Sequence, residues 1–95
     1  VKSIADLYLE NAPVLINNVI KGLIDKDADQ VFKSAHSLKS SSANVGAIKI
    51  QTLASQIELF ARSGKLSDAN HLSDTLLPVF EQTKEAILLK LERLV

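Results

Sequence analysis

The chain has 95 residues, 46% of them hydrophobic, and its 11 basic and 11 acidic side chains cancel to a formal net charge of zero. That composition supplies one modest core, excludes simple disorder, and excludes a nucleic-acid binder that works through bulk electrostatics. With no cysteine there are no disulfides, thiolate metal sites or thiol catalysis, and no apolar run nears the roughly 20 residues that span a bilayer. Residues 1–95 therefore read as one domain, without membrane contact of its own and compatible with a cytoplasmic location. Val1-Lys2-Ser3 leads into an amphipathic acidic segment rather than a signal peptide, and methionine is absent throughout, as expected of a domain cut from a longer protein.

Glycine and proline are rare, at three and two copies, and no segment alternates in strand fashion for long, so the chain reads as all-α. Ser3 with Asp6 predicts an N-terminal cap, opening a short helix through Leu7, Tyr8 and Leu9. Asn11-Ala12-Pro13 reads as a second cap with proline in the first turn, or as a kink in one longer helix. Leu15, Ile16, Val19, Ile20, Leu23 and Ile24 continue at helical spacing, and Asp25-Lys26-Asp27 makes a polar turn. Asp27 with Gln30 opens the next helix, which Gly46 can end in the left-handed conformation glycine tolerates. A further helix is expected from about Ala47 to Ser63, with Ile50, Leu53, Ala54, Ile57 and Phe60 as its stripe and Gly64 as its stop. Ser67 reads as the cap of a last helix, or two. There Leu72, Leu76, Val79, Phe80, Thr83, Ile87, Leu91 and Leu94 point inward and Pro78 should kink the pattern. The whole is an antiparallel four-helix bundle with a short extra N-terminal helix across one end.

The third of these segments carries the chemistry. Its inward stripe is Ala28, Val31, Ala35, Leu38, Ser42 and Val45, spaced alternately three and four. At ~100° per residue, His36 points roughly 130° from the centre of that stripe, into solvent. Lys33, Ser40, Ala43 and Asn44 share its outer side; Phe32 and Lys39 lie at the margin. A free imidazole titrates near ~6.5 and is substantially neutral, hence nucleophilic, at pH 7. Attack on phosphorus needs positioning and a nearby positive charge, which Lys39 can supply from one turn away. Ser40 is small enough for a partner to approach, while Ser41 and Ser42 suit packing and backbone bonds. On the face argument alone, a merely solvated surface histidine stands beside the phosphoryl reading.

The combination is more specific than its parts. His36-x-x-Lys39-x-Ser41-x-x-x-x-Gly46 resembles the signature of histidine-containing phosphotransfer (HPt) domains. Leu7-Tyr8-Leu9-Glu10-Asn11-Ala12-Pro13 is similar to the opening segment of that family, and Ala47 through Glu58 to the helix after the histidine. The resemblance implies that His36 takes a phosphoryl group from a receiver-domain aspartate and passes it to another receiver. It further implies Lys39 as the cation near that group, Gly46 as the glycine at the helix end, and Glu58 as a group that orients the imidazole, with a solvated face residue as the other reading of Glu58. The family commonly has glycine four residues after the histidine; Ser40 stands there, with slower transfer or a narrower partner choice as the expectation. No nucleotide site, metal ligand or cofactor of the domain's own is implied, with Mg²⁺ held by the partner receiver. Lys33, Ser40, Ala43 and Gly46 are the expected partner surface. A monomer is expected, as the terminal domain of a hybrid sensor kinase or as a free-standing carrier.

Other residues read more plainly. His71 lacks a lysine at the matching distance and is taken as a surface residue. Asp25, Asp27 and Asp29 lack the glycine and distal glutamate of a calcium loop. Tyr8, Leu9 and Ala12 are either core or an apolar docking patch, with core the simpler reading. Three alternatives to a phosphocarrier remain at this point. One is a receiver-docking module that accepts no phosphate. Another is a kinase dimerisation and phosphoacceptor domain, from which Ser37 after the histidine and the absence of proline before Pro78 depart. The third is a purely structural bundle.

Overall fold

In the computed structural model, which describes residues 2–93, four helices follow one another: α1 (Ile4–Ile24), α2 (Ala28–Val45), α3 (Ile48–Arg62) and α4 (Leu66–Arg93). The turns between them are residues 25–27, 46–47 and 63–65, short enough to force each helix antiparallel to the last. α1 packs on α2, α2 on α3, α3 on α4, and α4 returns against α1, closing an all-α bundle. Ile16, Val19, Val31, Leu38, Ile50, Ile57 and Leu76 are fully buried at its centre, each contributing about 1.5–3 kcal/mol of transfer free energy. No helix among the described residues is long and apolar enough to cross a membrane.

The separate N-terminal helix is not there: α1 runs unbroken through Pro13, the single longer helix of the two readings. A reciprocal capping box between Ser3 and Asp6 starts the helix well upstream. Tyr8, Ala12, Ile16 and Val19 then form one buried stripe that holds helical register across the proline. A proline inside a helix costs about 3 kcal/mol, which burial of the tyrosine on the upstream turn offsets. The same applies to Pro78, flanked by buried Leu76 and Phe80 within one continuous α4.

Tyr8 and Ala12 are buried, so the apolar docking patch is overturned in favour of core; Leu9 packs against the same cluster. The Tyr8 hydroxyl lies 2.9 Å from the Ser42 hydroxyl in a buried pair, and its ring tilts against Phe80 at 6.1 Å. Tyr8 thereby joins α1, α2 and α4. Burial raises its pKa, against a smaller lowering by the Ser42 hydrogen bond.

Ile24, the last of the apolar residues at helical spacing in this segment, is 75% exposed at the C-terminal end of α1. Ser67 sits inside the first turn of α4 rather than at its cap, since the helix starts one residue earlier, with the Lys65 carbonyl accepting from the Ala69 N–H. Leu94 lies outside the described residues. All three turns close alike, with a 2.8 Å bond from the N–H of the last turn residue to a carbonyl five back: Asp27 to Gly22, Ala47 to Ser42, Lys65 to Phe60. Gly46 and Gly64 supply the left-handed residue in two of them, at φ 74° and 73°; Lys26 supplies it in the first, at φ 55°.

Candidate functional site

α2 is set by its ends and by its stripe. Asp27 accepts from the Gln30 N–H at 3.1 Å to start it, and Gly46 ends it. The Gln30 amide does not fold back on the cap; it donates to the Asn18 carbonyl of α1 at 3.0 Å, tying the two helices. Val31, Ala35, Leu38 and Ser42 are buried as their spacing requires, which turns His36 outward with 56% of its side chain exposed. Lys33, Ser40, Ala43 and Gly46 are exposed on the same helix or at its end, and Lys39 is half-buried at the margin. The Ser41 hydroxyl bonds back to the Ser37 carbonyl at 2.9 Å, leaving the surface around Ser40 free of its bulk.

α3 completes the site. Ile50, Ala54, Ile57 and Ala61 hold it against the core, and that register brings Glu58 to face α2. Glu58 is only 5% exposed, so the solvated-face reading does not hold. One carboxylate oxygen lies 2.8 Å from His36 Nδ1, and the other lies 2.6 Å from Lys39 Nζ. A single buried carboxylate thus bridges the imidazole and the ammonium. Burial alone would raise the Glu58 carboxyl; hydrogen bonds from Lys39 and His36, with their charges, outweigh it and hold the group below the usual glutamate range. Glu58 is therefore ionised at neutral pH.

An ionised carboxylate has no proton to donate, so Nδ1 carries the hydrogen and donates to it. In the neutral ring the lone pair is then on Nε2, at the exposed end of the imidazole. A further restraint comes from Phe32, one turn before His36, whose ring stacks near-parallel to the imidazole at 6.2 Å and 16°. Arg62 lies over Phe32 in turn, its guanidinium carbon 5.2 Å from the ring centroid.

The sequence placed Lys33, Ser40, Ala43 and Asn44 on the outer side with His36 and put Lys39 at the margin, and the first five are exposed while Lys39 is half-buried. It missed that Lys39 is committed to Glu58, because that pairing crosses between helices and has no local spacing. It also missed Arg62. The only available signal was its position four residues after Glu58, on the same face of α3. His71 is exposed on α4, which packs principally against α3 and α1, away from this face.

A family model described as the Hpt domain matches residues 3–94. The chain belongs to the Hpt family. Hpt domains act in histidine phosphotransfer within two-component phosphorelays and interact with response-regulator receiver domains. Neither the curated proteins nor the solved structures searched gave a match. In this Hpt chain the histidine of the motif, the lysine three residues on and the glutamate of the next helix come together around one carboxylate.

Proposed function

We propose that this Hpt domain carries a phosphoryl group on His36 Nε2, taking it from a receiver aspartate and passing it to the aspartate of another receiver. The observation that carries the reading is the bond between His36 Nδ1 and Glu58. It fixes the ring orientation and leaves Nε2 as the exposed nucleophile. As Nε2 attacks the acyl phosphate, a nitrogen–phosphorus bond forms and the bond from phosphorus to the aspartate oxygen breaks, releasing the carboxylate. Positive charge grows on the ring, and the Glu58 carboxylate on Nδ1 stabilises it. The return step reverses this, with the imidazole as leaving group.

Lys39 is part of this arrangement as the counter-charge that keeps Glu58 ionised while buried. It lies one turn from His36, within the reach expected for a contact to phosphoryl oxygens once the phosphoryl group is in place. Among the described residues the carboxylate touching the imidazole is that of Glu58, already bonded to both the ring N–H and the Lys39 ammonium. The proposal therefore assigns the Mg²⁺ of the step to the receiver. Closure of four helices of one chain around one core supports a monomeric carrier rather than a kinase domain that dimerises through its helices.

The test is transfer from a phosphorylated receiver with Mg²⁺ to wild type beside His36→Gln, with circular dichroism on both. An acid-labile, alkali-stable label on wild type alone is expected. Label on both, or on neither while the receiver still binds, refutes the assignment.

A further inference from the structure

Of the cations of α2 and α3, Lys49 and Arg62 form no ion pair among the described residues, and Arg62 is the one that lies over Phe32, the ring stacked on His36. In α2 and α3 the acidic residues are Asp29 and Glu58. Asp29 pairs with Lys33 at 3.0 Å, and Glu58 with Lys39 at 2.6 Å. Arg62 forms no ion pair among the described residues. It is exposed, and it is held in place by Phe32 rather than by a carboxylate. A guanidinium resting on an aromatic face keeps its planar fork of N–H donors free. With Ala28, Asp29 and Ala61, Phe32 and Arg62 line a shallow open groove, connected to the histidine through Phe32, whose ring stacks on His36.

We propose that Arg62 is the residue of this domain that receives a carboxylate of the docking receiver, setting affinity and choice of partner. This rests on the phosphocarrier reading above. Arg62 lies one helical turn, ~5.4 Å, beyond Glu58, which itself holds the ring nitrogen remote from the reacting one. The guanidinium therefore meets the partner's surface, not the transferring phosphoryl group. Lys33 and Lys39 contribute little net charge to that surface because each is neutralised by its own carboxylate. Prepositioning over Phe32 reduces the side-chain entropy lost when the pair forms.

The experiment is single-turnover transfer from a phosphorylated receiver with Mg²⁺ to wild type, Arg62→Lys, Arg62→Ala and Arg62→Glu, at low and high salt. Labelling by phosphoramidate, a small donor with no protein surface, runs in parallel. Arg62→Ala should raise the carrier concentration for half-maximal rate roughly three- to tenfold at low salt, with Arg62→Glu worse and Arg62→Lys recovering most of the loss. The saturated rate should hold, the difference should shrink at high salt, and the ratio of receiver-driven to phosphoramidate-driven labelling should fall. An unchanged half-maximal concentration in Arg62→Ala and Arg62→Glu overturns the proposal. So does a loss of equal size with both donors, which would place the guanidinium at the imidazole or the phosphoryl group. Wild type unlabelled by either donor is a different result: it removes the phosphocarrier reading itself and this proposal with it.

Discussion

Replacing Glu58 with Gln keeps the shape of the side chain and removes the negative charge that holds the imidazole N–H and the Lys39 ammonium. The amide oxygen can still accept from His36 Nδ1, so the lost quantity is electrostatic. A unit charge ~4 Å from a growing positive charge is worth about 4 kcal/mol at an effective dielectric of 20 and about 1 kcal/mol in water. Glu58 is buried but the imidazole is 56% exposed, which puts the working value low in that range, about 1–2 kcal/mol, or roughly five- to thirtyfold in rate. The assay is single-turnover transfer from a phosphorylated receiver at saturating carrier, with the ring tautomer read by long-range nitrogen–proton correlation. Glu58→Gln should lose that factor in the saturated rate while the hydrogen stays largely on Nδ1. Glu58→Ala should lose the rate and also mix the tautomers. Wild-type rates in both variants would refute the argument that this carboxylate stabilises the reacting ring.

The same carboxylate gives a pH signature. Its pKa is lower folded than unfolded, so its stabilisation is full above the unfolded value of ~4.3 and is lost as pH falls through the folded value. Melting wild type beside Glu58→Gln should show the largest gap at neutral pH and convergence on acidification; a constant gap counts against it. Gly22→Ala should lower Tm although alanine favours helix by about 1 kcal/mol: the added Cβ would lie 2.8 Å from Val31 Cγ2 and 3.1 Å from its backbone nitrogen, and overpacking of that kind costs ~1–3 kcal/mol. A rise in Tm by calorimetry would refute the close approach of α1 and α2. Lys26→Gly should raise Tm by roughly 3–6 °C, because a left-handed lysine at φ 55° costs ~1–2 kcal/mol and glycine removes most of that after its own entropy cost; no change in Tm would show the turn unstrained.

What the sequence made legible was whatever has a local period or a local partner. The stripe from Ala28 to Val45 placed His36 in solvent, and the bounds of α2 follow from Asp27 and Gly46, whose cap and left-handed turn involve only neighbouring residues. Local rules left Pro13 open between a helix boundary and a place inside one longer helix, because proline reads as a boundary. Its cost is met by Tyr8, whose partners Ser42 and Phe80 are 34 and 72 positions further along the chain. The resemblance pointed to Glu58 without its surroundings. That one carboxylate holds both the imidazole and the ammonium, and that Arg62 rests on Phe32, depend on the relative register of α2 and α3, which no single-helix pattern contains.

That dependence makes the surface chemistry a property of the core. Glu58 has no capping or loop restraint of its own; its position follows from Ile57 beside it and from Ala54 and Ala61 one turn away on either side, all buried. The residues at 54 and 61 are small and buried, which leaves little room for a larger side chain beneath α3. A larger residue at either position, such as Ala54→Leu, would push α3 outward. A displacement of ~0.5–1 Å is enough to break a 2.8 Å hydrogen bond to a ring free to rotate on a half-exposed side chain. The imidazole would then be held by Phe32 stacking alone, which restrains the ring plane but not which nitrogen carries the proton. The exposed nucleophile is thus specified from beneath, through the buried face of α3 that sets the position of Glu58.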